Sequence, residues 1–144
     1  MSAERDNYTS GGGEWMIEVF PVHATLPASD LSRARHWYQE RMGLTPIRED
    51  EVGLWYEFAG SRLLLYETSL AGTAQNTAAE WLVEDIESVM ADLRSHGVAF
   101  EEYDFPGLKT ENGLGAIGNH KAAWFKDSEG NIPSLDEPPP GWAS

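Results

Sequence analysis

The 144-residue chain contains no cysteine. That excludes disulfide staples, thiolate metal ligands and a cysteine nucleophile. Positive charge is scarce: 10 Lys and Arg stand against 24 Asp and Glu, for a formal net charge of −14. A phosphate backbone is drawn to clustered Lys and Arg, so no nucleic-acid partner is expected. The acidic balance suits a cationic small molecule, and it equally serves to keep a protein surface soluble. Long apolar runs are also lacking. Leu63-Leu64-Leu65-Tyr66 falls far short of a membrane crossing, and Met1-Ser2-Ala3-Glu4-Arg5-Asp6 has no basic stretch leading into an apolar one. No membrane partner and a cytoplasmic location are therefore expected. Nucleophile motifs and phosphate-cradling loops are absent as well. Gly11-Gly12-Gly13 is not followed by a helix, and Gly113-x-Gly115-x-x-Gly118 matches a dinucleotide fingerprint only in its letters, since it lies outside a βαβ unit.

What the chain does have is enough apolar material for one core. Its hydrophobic fraction is 41% and its aromatic fraction 11%, which argues for a single folded domain over residues 15–137. The polar residues 1–14 and the Pro-rich 138–144 are expected to be flexible ends. Trp15 to Pro27 is rich in β-branched and aromatic residues and reads as a strand. Ser29-Asp30 then offers a helix N-cap, Leu31, Ala34, Tyr38 and Met42 recur at helical spacing, and Gly43 supplies a stop. Strand-like runs follow at Leu44 to Glu49, Val52 to Phe58 and Arg62 to Glu67.

The order β, α, β, β, β then begins again, so residues 15–70 and 76–137 form two modules. Ala78 to Val83 leads to the cap Glu84-Asp85 and to a helix with Ile86, Val89, Met90 and Leu93 on one face before Gly97. Asp30 and Asp85 are 55 residues apart, too long a period for a solenoid, so two copies imply a pseudo-twofold domain. Val98 to Tyr103, Ala122 to Lys126 and Ile132 to Leu135 are the further strands, the last two flanking the turn at Ser128-Glu129-Gly130-Asn131. The intervening loop, with Pro106-Gly107 and Gly113-Leu114-Gly115, is either a mobile lid or a packed excursion.

Three segments resemble hallmarks of one superfamily. They are Val22-His23-Ala24-Thr25-Leu26-Pro27-Ala28-Ser29-Asp30-Leu31 with His36-Trp37-Tyr38 and Met42-Gly43-Leu44; Trp81-Leu82-Val83-Glu84-Asp85-Ile86; and Phe125-Lys126-Asp127-Ser128-Glu129-Gly130-Asn131. In order and spacing they resemble the vicinal-oxygen-chelate superfamily of glyoxalases, bleomycin-resistance proteins and extradiol dioxygenases, with Ser128 where its turn usually has proline. The resemblance implies an α+β fold, two tandem βαβββ modules forming a curved mixed sheet around a cup-shaped pocket, frequently in a homodimer.

It also implies where a divalent metal would sit in metal-dependent members: one His, Glu or Gln on the first and the last strand of each module. Transferred here, those positions fall on His23 and Glu67 in module one, and on Ala78 and Ser134, which are not useful ligands, in module two. A half-site of this kind argues against an obligatory metal or any other cofactor, while a shifted site recruiting Glu80, Asn76, His120 or Asn119 stays open. His23 hydrogen-bonded to Glu67 is an alternative acid–base pair, a ligand contact, or plain structure.

Trp55 and Tyr56 alternate along a strand, so one of them should line the pocket, together with Glu80 and Trp124. Trp37 is expected in the core and Trp81 toward the helices. Aromatic and carboxylate side chains favour flat or cationic organic ligands. The expected function is therefore small-molecule binding of the bleomycin-resistance type, sequestering an aromatic or cationic compound. The alternative is a lyase, isomerase or dioxygenase using a partial metal site or His23 and Glu67, and a third reading is an accessory protein with a vestigial pocket.

Overall fold

The computed structural model describes residues 16–142. Trp15 and the three glycines before it lie outside them. A 3₁₀ turn at Ile17–Val19 precedes β1 (Ala24–Ala28), α1 (Leu31–Met42), β2 (Arg48–Glu49), β3 (Leu54–Phe58) and β4 (Ser61–Glu67). The second module has β5 (Thr77–Leu82), α2 (Ile86–Ser95), β6 (Asp104–Phe105), β7 (Leu108–Lys109), β8 (Gly115–Ile117), β9 (His120–Trp124) and β10 (Ile132–Glu137). The helix boundaries follow from local chemistry. Asp30 and Asp85 accept from the backbone N–H groups of Arg33 and Ser88, at 3.0 and 3.2 Å. Gly43 ends α1 in the left-handed region at φ 68°.

Two four-stranded mixed sheets result, ordered β1-β4-β3-β2 and β5-β10-β9-β8, with β1 parallel to β4 and β5 parallel to β10. This is the α+β arrangement of two βαβββ modules. One face of the first sheet buries Leu26, Ala28, Leu54, Tyr56, Leu63 and Leu65 against Ala34 and Tyr38 of α1. In the second, Ala123, Phe125 and Leu135 pack against Ile86, Met90 and Leu93 of α2. Trp37 and Trp81 contact both clusters, as expected of a core and a helix-facing tryptophan, and fuse them into one interior.

Several strands differ from their sequence ranges. The strand expected over Trp15 to Pro27 is confined to Ala24–Ala28, because Pro21 has no N–H to give a ladder. Leu44 to Glu49 shrinks to Arg48–Glu49 behind Pro46 for the same reason. Val98 to Tyr103 contributes only the bridge Phe100 to Phe125 and a bond from Glu101 N to the Trp124 carbonyl. Its edge of β9 is shared with β8, which takes the other end from His120 to Ala122. The long loop is a packed excursion: it forms the β6–β7 hairpin and β8, and Tyr103 and Leu108 pack against Ala122, Trp124 and Ile132.

The turn after β9 ties the modules together. The buried Asp127 carboxylate accepts from the backbone N–H of Glu129 and Asn131, from Asn131 Nδ2, and from Tyr38 Oη of α1 at 2.6 Å. Burial, then the neighbouring Asp127 charge, pushes the Tyr38 phenol well above its ordinary value. The Glu129 side chain is fully buried and accepts from Ser29 N, Asp30 N and, in fork geometry, Arg33 Nε and Nη2. Burial would raise its carboxyl, but Arg33, Ser128 and the Asp30 amide together hold it down at about 2.

A depressed carboxylate stabilises the fold above its unfolded value, ordinarily 4.5 for this group, and that share is lost as pH falls towards 2. Glu129→Gln is expected to cost about 2–3 kcal/mol at pH 7 by urea unfolding. It is also expected to flatten the acid loss of stability between about pH 4.5 and 2 relative to the parent.

Candidate functional site

The sheet faces away from the helices hold the candidate site, because the helix-facing sides are filled by core. Strand alternation places His23 and Trp55 on the open face of the first sheet, their rings meeting edge-on at 6.5 Å. Tyr56 points the other way, 1% exposed in the core with its hydroxyl lacking a hydrogen-bond partner. Burial raises its phenol to about 12. The Trp55 indole N–H is committed to both oxygens of Asp50 at 3.2 Å, an interaction that leads in lowering the Asp50 carboxyl below its usual value.

His23 and Glu67 do not meet, which corrects the pairing expected between them. In the parallel ladder Ala24 lies opposite Leu63 and Ala28 opposite Glu67, so the two residues stand at opposite ends of the β1–β4 pair. Five residues of strand separate them, roughly 16 Å.

The internal repeat also relocates the last-strand metal position of module one. Ser134 lies opposite Glu80, two residues past Ala78. The same offset from His23 gives Thr25, opposite Leu64. Leu64, 8% exposed, therefore corresponds to Ser134, and Glu67 does not. The four symmetry-related positions are then His23, Leu64, Ala78 and Ser134, one imidazole and no carboxylate, which is a poor donor set for a divalent ion. Among the described residues no group of three His, Asp or Glu is placed to hold a metal.

On the second sheet the open face is chemically richer. A cavity of about 330 Å³ is lined by Thr77, Glu80, His120, Trp124, Ser134 and Asp136, with Leu82, Ile117, Ala122 and Trp142. Asp136, 6% exposed, faces His120 Nδ1 with both oxygens at 3.0 Å, and Trp142 meets the His120 ring edge-on at 5.9 Å. The Glu80 carboxyl is raised by burial first and then by the Asp136 charge, against a lowering by His120. The Trp124 indole N–H is fixed by Thr77 Oγ1 at 2.9 Å, while the Tyr103 ring meets the indole edge-on at 5.5 Å. Ser134 Oγ is buried at the base of the cavity without a hydrogen-bond partner.

Glu80 and Leu82 also border a second cavity of about 480 Å³, at the seam between the modules, walled by Phe58 and Arg62 on one side and Ala79 and Trp81 on the other. Of the residues expected at a site, Glu80 and Trp124 come together in the cavity of about 330 Å³, whereas His23, Trp55 and Glu67 lie on the first sheet. Sequence reasoning passed over Asp136 and left His120 as a loop residue. The signal available was period 2: Asp136 follows Ser134 on one face of a strand, and Ala122 brings His120 onto the same face.

No family model matches the chain, and no curated protein sequence matches it. Solved structures do. A glyoxalase/bleomycin resistance protein from Catenulispora acidiphila aligns over 83% of this chain and 99% of its own, with TM-score 0.61 and 21% identity. A lactoylglutathione lyase from Agrobacterium tumefaciens aligns over 82% of this chain and 92% of its own, with TM-score 0.58 and 15% identity. An antibiotic binding protein from Streptomyces aligns over 82% and 97%, with TM-score 0.55 and 21% identity. At such identities the likeness speaks to architecture. Together with the βαβββ repeat, it shows that the chain shares the fold of these glyoxalase/bleomycin-resistance, lactoylglutathione-lyase and antibiotic-binding structures.

Proposed function

We propose that the chain is a small-molecule-binding protein that takes up a flat organic compound bearing a cationic group on the open face of its second sheet. The observation that carries this reading is the cavity in which Glu80 and Asp136 stand beside Trp124, with an unpartnered Ser134 hydroxyl at its base. Two neighbouring carboxylates repel each other, and a cation relieves that repulsion while replacing water. Trp124 and Trp142 offer aromatic surface to a ring, and cation–π contact adds about 0.5–2 kcal/mol. The antibiotic binding protein among the structural neighbours gives the same reading a precedent on this fold. Binding by this set uses no metal, in keeping with the donor set at His23, Leu64, Ala78 and Ser134. The homodimer implied by the resemblance and the cytoplasmic location expected from the sequence belong to this proposal.

An arylalkylammonium such as tryptammonium is the direct probe, followed by calorimetry. It is expected to bind at least about tenfold more tightly than the same ring carrying a carboxylate. Glu80→Gln and Trp124→Ala should each weaken binding by about 5- to 30-fold, and Ser134→Ala by less. His23→Ala should leave it unchanged. Equal affinity for the anionic and cationic probes, or a loss on His23→Ala alone, contradicts the reading.

A further inference from the structure

We propose that the same pocket is also a metal-independent proton-transfer site, with His120 as general base, Asp136 as the residue that positions it, and Glu80 as the acid across the cavity. This rests on the ligand pocket proposed above and adds a reaction to it.

The geometry begins with Asp136. Its carboxylate accepts, so the imidazole atom facing it at 3.0 Å, His120 Nδ1, must be the donor. That fixes the neutral ring as the Nδ1–H tautomer and leaves Nε2 with a free lone pair. Nε2 has no hydrogen-bond partner among the described residues, and the ring forms part of the cavity wall. The His120 side chain is 32% exposed and that of Asp136 only 9%, so the base is open to a ligand while its partner is screened from water. A buried carboxylate behind imidazole orients the ring and fixes which nitrogen faces the ligand. Trp142, edge-on to the ring, further limits its rotation.

Glu80 completes the set. It projects from β5 opposite Ser134 and lies within electrostatic reach of both Asp136 and His120. Burial and then the Asp136 charge raise its carboxyl, against a lowering by His120, and its place on the cavity wall makes it the group that exchanges a proton with a ligand oxygen. Ser134, opposite Glu80 in the ladder, is buried and forms the floor beneath it. Two titratable groups with different tasks and one aromatic wall make up the equipment for proton abstraction next to an electron-withdrawing group.

The class of reaction is a C–H deprotonation coupled to protonation at oxygen. His120 Nε2 takes the carbon-bound proton, the C–H electron pair moves toward the acceptor oxygen, and Glu80 gives that oxygen its proton. No oxidant, reductant or metal enters the balance. Loss of one proton from His120 to solvent and uptake of one by Glu80 then restore both side chains.

The test needs no natural substrate. 5-Nitrobenzisoxazole is a flat probe whose ring C–H is removed by a base as its N–O bond breaks, giving a nitrile and a coloured phenolate. Turnover is read from phenolate absorbance, and binding of the probe and its product from tryptophan fluorescence in the same samples. The full chain is expected to turn the probe over faster than an equal concentration of free imidazole. His120→Ala should lower kcat by about 10²-fold. Asp136→Asn should lower kcat by about tenfold or more with KM little changed, and Asp136→Glu should restore part of it. That split separates positioning of the base from a merely structural role.

Binding without turnover above imidazole overturns the proton-transfer site and leaves the ligand pocket standing. Turnover that persists in His120→Ala but vanishes in Glu80→Gln overturns the assignment of the base. Neither binding nor turnover of this neutral probe overturns the proton-transfer site, and tryptammonium binding, measured by calorimetry on the same protein, decides the pocket separately.

Discussion

The Asp127 carboxylate carries the architecture. It is buried, and an ionised group there is tolerable only because four donors surround it: two backbone amides, the Asn131 side chain and the Tyr38 hydroxyl. Three of those donors belong to the turn of the second module, and the fourth belongs to the helix of the first. The fourth bond, from Tyr38, forms only when the modules dock. Once they do, Asn131 Nδ2 reaches the Pro27 carbonyl, Glu129 caps the start of α1, and the Trp37 ring stacks on Phe125 at 6.3 Å. Gly130 is held to glycine by its positive φ of 86° and by Gly72, which a side chain there would meet at 3.0 Å.

Docking in this way commits the helix-facing sides of both sheets to core and leaves chemistry only to their open faces. Those faces have diverged. The first keeps His23 and Trp55, with Leu64 where Ser134 stands in the second. The second gathers Glu80, His120, Asp136 and Trp124 around a cavity of about 330 Å³. Equivalent positions of the internal repeat such as Leu64 and Ser134 thus carry an apolar side chain in one half and a polar one in the other, where titratable groups line the cavity.

Much of this was legible in the sequence. The two caps Asp30 and Asp85, the helical stripes behind them and the turn at 127–131 are local signals, and local signals survive folding. Trp37 and Trp81 were legible as core because their neighbours at the right period were apolar. Strand limits near Pro21 and Pro46 were blurred because β-branched neighbours masked a missing donor. The site was less legible for a different reason. Which residue of one strand lies beside which residue of another is a matter of register, and a register cannot be counted from one strand alone. Glu67 looked like a ligand by its place at a strand end, but the ladder sets it beside Ala28, away from His23. Asp136 drew no notice as one acid among 24, and only the fold brings it to His120.

The central claim is that the functional face is that of the second sheet. A crystal structure of the full chain grown with an arylalkylammonium ligand tests it most directly. The account requires the ring to lie against Trp124 with its ammonium beside Glu80 and Asp136. A ligand seated instead against His23 and Trp55 would contradict it.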